Sequence, residues 1–301
     1  MRLDWKGVIA AITTPLRVDL SVDHGFLAEH ASWLVAEGCA GLVPLGSLGE
    51  AATLSFSEKR AVLETCVRAV GGRAPVIPGV SALATVEAVE LAKDAKALGC
   101  RGLMVLPPYV YSSDWREMKA HVTAVLAATG LPCMLYNNPV AYRTDFVPEQ
   151  IAELAHDFPN LEAVKESSTD VRRITALRTL LGDRLAILVG VDDAIVEGIE
   201  AGAVGWIAGL VNAFPAESVA LYRHAVEGRK QAAFELYRWF LPLLRMDTVP
   251  KFVQLIKLVQ ESVGRGSARV RPPRLSLEGD ERRLALETIE RALATRPRLE
   301  G

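Results

Sequence analysis

The sequence predicts an α/β protein of the closed (β/α)8 kind, a TIM barrel, with a helical region at its C-terminal end. Three observations lead there. Eight short apolar runs recur with starts roughly 18–34 residues apart, and seven helix-patterned stretches lie between them. The runs are continuously apolar rather than alternating, as expected of parallel strands covered on the outside. From Phe214 onward the strand pattern stops and only helix patterns follow. A doubly wound open sheet is the competing architecture. It would place a Gly-rich dinucleotide turn after the first strand, and Ile12-Thr13-Thr14-Pro15 is not one.

Each element has its own warrant. Gly7–Ile12 is a β-rich run closed by Thr13-Thr14-Pro15. Phe26, Leu27, His30, Ala31, Leu34 and Val35 recur at three- and four-residue steps, a helical stripe that Gly38 stops. Gly41–Leu45 is the second strand, ending in Gly46-Ser47-Leu48-Gly49-Glu50. Ser55 with Glu58 predicts a capping box that opens a helix ending near Gly71-Gly72. Strands then alternate with helices: 75–80, 102–106, 132–136, the run closing on Lys165, 185–190 and 203–208. Helices are expected over 216–227, 229–245, 248–263 and 279–294. The predicted organisation is a barrel over 1–213 carrying the active site and a helical domain over 214–301.

Composition narrows the function. A formal net charge of −2 leaves no basic footprint for nucleic acid and no polybasic membrane patch. No uninterrupted apolar run approaches the roughly 18 residues of a membrane span. Met1–Lys6 lacks the apolar core of a signal peptide. The four cysteines, Cys39, Cys66, Cys100 and Cys133, are far apart in apolar surroundings, as core residues in a reducing, cytoplasmic compartment would be. The five histidines show no His-x-His or His-Glu-x-x-His spacing, so no metal is expected.

Three features fall at C-terminal strand ends, which converge on one pocket in a barrel. The turn Gly46–Glu50 can expose successive N–H groups beside the Ser47 hydroxyl, an arrangement that suits a carboxylate. Tyr136 ends the fifth strand, where a phenol can pass protons to a carbonyl oxygen. Lys165 ends the sixth, where burial disfavours the charged form of an amine and a neutral amine can attack a ketone. Taken singly, each has an ordinary structural explanation: a βα turn, a buried tyrosine bonded to backbone, a lysine snorkelling to water. Together they suit a Schiff-base enzyme on a 2-oxo acid.

Four segments carry a family resemblance: Gly46–Glu50, Tyr136-Asn137-Asn138-Pro139, Val164-Lys165-Glu166-Ser167 and Gly190-Val191-Asp192-Asp193. They resemble, in order, the dihydrodipicolinate synthase/N-acetylneuraminate lyase family of class I aldolases. The resemblance implies catalytic roles for Lys165 and Tyr136. It places the substrate carboxylate on Gly46, Ser47 and the Leu48 N–H, and the Ile207 backbone in the pocket wall. It implies a homotetramer built as a dimer of dimers, and no cofactor beyond the covalent lysine Schiff base.

Departures bear on the substrate. Dihydrodipicolinate synthases usually carry two threonines where this chain has Ser47-Leu48, and a leucine cannot relay protons. Their relay also uses a partner tyrosine from a Pro-Tyr-Tyr segment. Here that segment reads Pro107-Pro108-Tyr109-Val110-Tyr111, with Val110 at the matching position and Tyr109 or Tyr111 left to substitute. Arg143 is the nearest match to the arginine that binds a second carboxylate, with two extra residues before it. These departures weigh against condensation of pyruvate with aspartate semialdehyde. The segments after Tyr136 and Lys165 are most similar to members that deaminate Δ1-pyrroline-4-hydroxy-2-carboxylate. A hydratase-aldolase is a second enzyme reading, and a non-catalytic 2-oxo acid sensor is the reading from a different class.

Overall fold

Gly7–Ala10 (β1) lies between Gly41–Leu42 (β2) and Gly205–Ala208 (β8) in the computed structural model, which describes residues 3–109, 111 and 113–299. The remaining strands are Gly79–Val80 (β3), Leu103–Val105 (β4), Cys133–Asn137 (β5), Leu161–Glu166 (β6) and Ala186–Val189 (β7). Their order is β2-β1-β8-β7-β6-β5-β4-β3, and every pair is parallel. The two ends of that order meet. Leu42 N donates to Pro75 O at 3.0 Å, Ile77 N to Leu42 O at 2.8 Å and Gly79 N to Pro44 O at 2.8 Å. The staves therefore run round as a ring, as the eight apolar runs predict.

The helices between strands are His24–Ala36 (α1), Phe56–Val70 (α2), Thr85–Ala97 (α3), Trp115–Ala127 (α4), the single turn Pro139–Tyr142 (α5), Pro148–Asp157 (α6), Arg172–Leu181 (α7) and Ile195–Glu200 (α8). Local chemistry fixes their ends. Ser55 and Glu58 form the expected capping box on α2, with Ser55 N donating to Glu58 Oε2 at 2.8 Å and Glu58 N to Ser55 Oγ at 3.3 Å. Gly71 closes the same helix at φ 54°, a left-handed conformation that glycine adopts without steric cost. The four cysteines are buried and unpaired, and burial pushes each thiol up to about 12.

Beyond β8 come Pro215–Val226 (α9), Lys230–Leu244 (α10), Phe252–Ser262 (α11) and Gly279–Ala294 (α12). Their apolar faces share one continuous core with the barrel: Phe214, Leu221, Phe240 and Ile256 are 0 % exposed in the same cluster as Ile9 and Leu188. Polar ties reinforce the contact. Tyr222 Oη accepts from Gly7 N and donates to Val204 O at the β1–β8 seam. Asn212 donates to Ala11 O, and Thr13 donates to Gln260 of α11. Arg271 grips Glu58 through both terminal nitrogens, at 3.0 and 2.9 Å, so the chain after α11 is strapped back onto α2. The strap brings the segment around Arg274 to the rim of the barrel. No described helix is long and apolar enough to cross a membrane.

Candidate active site

Tyr136 and Lys165 are register partners across β5 and β6, so adjacent staves present them side by side. The Lys165 amine stands 4.1 Å from the centre of the Tyr136 ring. Both side chains are buried, yet both line a cavity of about 450 Å³ at the C-terminal end of the barrel. That volume suits a small-molecule site. Lys165 forms no hydrogen bond or ion pair among the described residues. Its stem runs along Gly190, just past β7: a Cβ there would lie 2.7 Å from Lys165 Cε and 2.0 Å from Ser167 Oγ. Glycine at 190 is thus what lets the lysine stand where it does.

The turn after β2 supplies the opposite wall. Gly46, Ser47 and Leu48 all line the cavity. The turn is held from outside by Thr14, whose hydroxyl donates to Gly49 O at 2.7 Å, and by left-handed backbone at Leu45 (φ 61°) and Glu50 (φ 54°). Conformations this costly persist only where the surroundings enforce them. The N–H groups of Ser47 and Leu48 make no hydrogen bond among the described residues, as a carboxylate cradle requires. Ile207 of β8 is buried and lines the same cavity.

Two of the expected residues sit elsewhere. Arg143 takes the left-handed C-cap position of α5 at φ 57°, is exposed, and does not line the cavity; the two extra residues before it carry it past the rim. Tyr109 is half-buried and packs its ring against Tyr142 at 5.5 Å, one layer behind the cavity wall. Tyr111 is 58 % exposed. Val110 lies outside the described residues.

Among the lining residues outside the expected set, four polar ones bear on the chemistry. Tyr142 hydrogen-bonds the Ser47 hydroxyl and meets the Tyr136 ring edge-on at 5.8 Å. Burial pushes its phenol well up, so it is a neutral donor and acceptor at ordinary pH. Tyr136 Oη in turn accepts from Asn138 Nδ2 at 2.9 Å. Ser167 points its buried hydroxyl into the space beside Lys165 and Gly190. Arg274, from the strap, is half-buried on the rim and makes no ion pair among the described residues. Asp247, from the turn Arg245–Asp247 between α10 and α11, lines the cavity too. Ser167 and Tyr142 had a sequence cue, since they follow Lys165 and Tyr136 within a few residues; Arg274 and Asp247 had none.

Asp192 explains the Gly190–Asp193 segment. Its buried carboxylate accepts from Trp206 Nε1 at 2.9 Å, from Gly209 N at 3.1 Å and from Leu210 N at 2.8 Å. Burial raises it to about 6, with those donors opposing the rise. It braces the chain where β8 ends, beside the lysine. Glu166 is raised by burial as well, and its carboxylate is held by Ser168 N and Asn137 Nδ2 at 2.7 and 3.1 Å.

The arrangement can hold a carboxylate on the turn, bring a carbonyl carbon to an amine, and pass protons through a phenol. The chain is also similar to known proteins. The model of the dihydrodipicolinate synthetase family matches residues 4–292. A 4-hydroxy-tetrahydrodipicolinate synthase of Chelativorans sp. is 35% identical over 240 residues, 79% of this chain and 82% of that protein. The crystal structure of dihydrodipicolinate synthase from Aquifex aeolicus superposes with a TM-score of 0.91 at 28% identity, covering 95% and 97% of the two chains. YagE, an E. coli K12 prophage protein of the same family in complex with pyruvate, superposes with a TM-score of 0.90 at 25% identity, covering 96% and 99%. The chain belongs to the dihydrodipicolinate synthetase family.

Proposed function

We propose that this protein, an aldolase-type lyase by its family, forms a Schiff base between Lys165 and a small 2-oxo acid or its cyclic imine, with Δ1-pyrroline-4-hydroxy-2-carboxylate as the favoured substrate and deamination as the outcome. The observation that carries the reading is the Lys165 amine, held at 4.1 Å from the Tyr136 ring centre in the cavity it shares with the Ser47–Leu48 turn, and without an ion-paired carboxylate among the described residues. The substrate carboxylate sits on the N–H groups of Ser47 and Leu48. The amine attacks C2, and Tyr136 moves protons to and from the oxygen or nitrogen that leaves C2. The resulting iminium withdraws electrons from the C2–C3 bond region, so a C3 proton becomes acidic.

Leu48 supports the choice of substrate. It presents an apolar side chain, 4 % exposed, where a second hydroxyl would serve the synthase relay. Tyr142, hydrogen-bonded to Ser47, offers a relay from within one chain instead. A second reading, condensation of pyruvate with aspartate semialdehyde, draws support from the names of the relatives and from Arg274, a rim cation that suits a second carboxylate. We further propose a cytoplasmic homotetramer, a dimer of dimers, acting without nucleic acid, membrane or bound cofactor.

A turnover panel tests the reading. The hydroxyproline-derived imine is expected to give 2-oxoglutarate semialdehyde and ammonia with kcat/KM at least tenfold above that for pyruvate plus aspartate semialdehyde. The reverse ranking overturns the deaminase assignment in favour of the second reading.

A further inference from the structure

Asp247 enters the cavity from the helical region, where no strand pattern announces it. Its carboxylate packs against Gly209, Oδ1 foremost: a Cβ at 209 would stand 2.2 Å from Asp247 Oδ1 and 2.8 Å from its Cγ. The N–H of that same glycine is held by Asp192. Two carboxylates thus close on one residue from two sides. Their circumstances differ. Asp192 is saturated by N–H donors from Trp206, Gly209 and Leu210. Asp247 makes no hydrogen bond and no ion pair among the described residues, and it faces the cavity shared with Lys165 and Tyr136.

Two neighbouring carboxylates cannot both ionise cheaply. The charge settles where the donors are, on Asp192, and the proton stays where they are not. Burial and the Asp192 charge raise Asp247 well above the ordinary carboxylate range, with Asp193 adding to the rise and Lys165 opposing it. Arg245 faces Asp193, at 3.7 Å, rather than Asp247.

We propose that Asp247 is a catalytic acid that gives its proton to a hydroxyl leaving from C4 of the Schiff-base intermediate, and so directs the site toward dehydration. This rests on the lyase reading of the same cavity. After Lys165 condenses with C2, loss of a C3 proton to Tyr136 gives the enamine. The enamine electron pair then restores the C2–N iminium bond as C3–C4 becomes a double bond and the C4–O bond breaks. The departing oxygen takes the Asp247 proton and leaves as water. The proton removed from C3 returns to Asp247 through Tyr136 or solvent, so the net change is loss of one water. Cleavage of the C3–C4 bond would need the opposite, a base to deprotonate that hydroxyl. An uncharged acid facing it disfavours cleavage. The substrate class is therefore a 2-oxo acid or cyclic imine hydroxylated at C4.

The test uses two substrates: the 4-hydroxy imine, and its 4-acetoxy analogue, whose leaving group departs without a proton. In the wild type, the ratio of kcat/KM for the hydroxy to the acetoxy compound is expected to fall about tenfold per pH unit above the Asp247 ionisation, because effects of Lys165 and Tyr136 cancel in the ratio. Asp247→Asn is expected to lower turnover of the hydroxy compound by about 10²–10⁴-fold and that of the acetoxy compound less than about threefold. Borohydride trapping of pyruvate on Lys165 checks that this variant is folded. A pH-independent wild-type ratio, or equal losses on both substrates in D247N, overturns the inference. Failure of the lyase reading shows separately: the wild type then turns over neither compound, and the inference falls with it.

Discussion

Lys165 and Lys257 are 7 % and 1 % exposed, both in the interior of one molecule. Lys257, on α11, is ion-paired with Glu50 and donates to Arg269 O at 2.7 Å. Glu50 in turn accepts from Arg271 N at 3.0 Å. Burial pushes the Lys257 amine down while Glu50 beside it pulls it back up. Lys165 meets an aromatic face, a glycine and a cavity. One lysine has a permanent counter-charge and fastens the helical region to the turn that lines the cavity. The other makes no ion pair among the described residues and faces open space. Burial alone does not set a lysine's circumstances; a paired carboxylate and the space in front of it differ between the two.

Substitution can break that contrast. Lys165→Ala is expected to reduce turnover by on the order of 10⁴-fold or more, as loss of a nucleophile does. Its unfolding free energy should stay within about 1 kcal/mol of wild type, since no hydrogen-bond or ion-pair partner among the described residues is orphaned. Lys257→Ala should do the reverse. It strands the Glu50 carboxylate, 2 % exposed, and is expected to cost about 3–5 kcal/mol in chemical denaturation. Equal stability losses in the two variants would remove the distinction.

Gly190→Ala sharpens it. The added methyl would stand 2.7 Å from the lysine stem, so the amine must move while the fold keeps its core. A displacement near 1 Å is worth about 10²-fold, read as the rate of Schiff-base trapping. Tyr142→Phe removes the hydroxyl that bonds Ser47 and is expected to lower kcat about tenfold or more, with little change in the amount of trapped adduct. An unaltered kcat would exclude Tyr142 from the relay.

The smallest effect lies in the strap. The Arg271 guanidinium holds the Glu58 carboxyl down to about 2, from an ordinary 4.5. A depressed carboxylate contributes stability above its unfolded value and loses it as pH falls through the folded one. The strap should therefore loosen between about pH 4.5 and 2, seen as a shallower acid-unfolding profile in Glu58→Gln. A profile identical to wild type would show that the strap does not depend on this pair.

How much was legible in the sequence follows the same division. Lys165, Tyr136, Ser47 and Leu48 end apolar strands or follow them directly, and in a parallel barrel strand ends must converge. Their meeting could be read without coordinates. Arg274 and Asp247 reach the cavity from the helical region, by a strap and a turn whose path no hydrophobic period encodes. Arg143 was the natural choice for a rim cation by its spacing from Tyr136. The single turn α5 puts it at a left-handed cap facing solvent instead. The capping box at Ser55 was readable because it is local, its partners only three positions apart. The Glu50–Lys257 pair was not, because it joins residues 207 apart.

The most direct measurement is reductive trapping. Incubation with pyruvate and borohydride, followed by peptide mass spectrometry, should give one adduct, on Lys165, and none on Lys257. Absence of any adduct, or an adduct on Lys257 with Lys165 unmodified, would contradict the account.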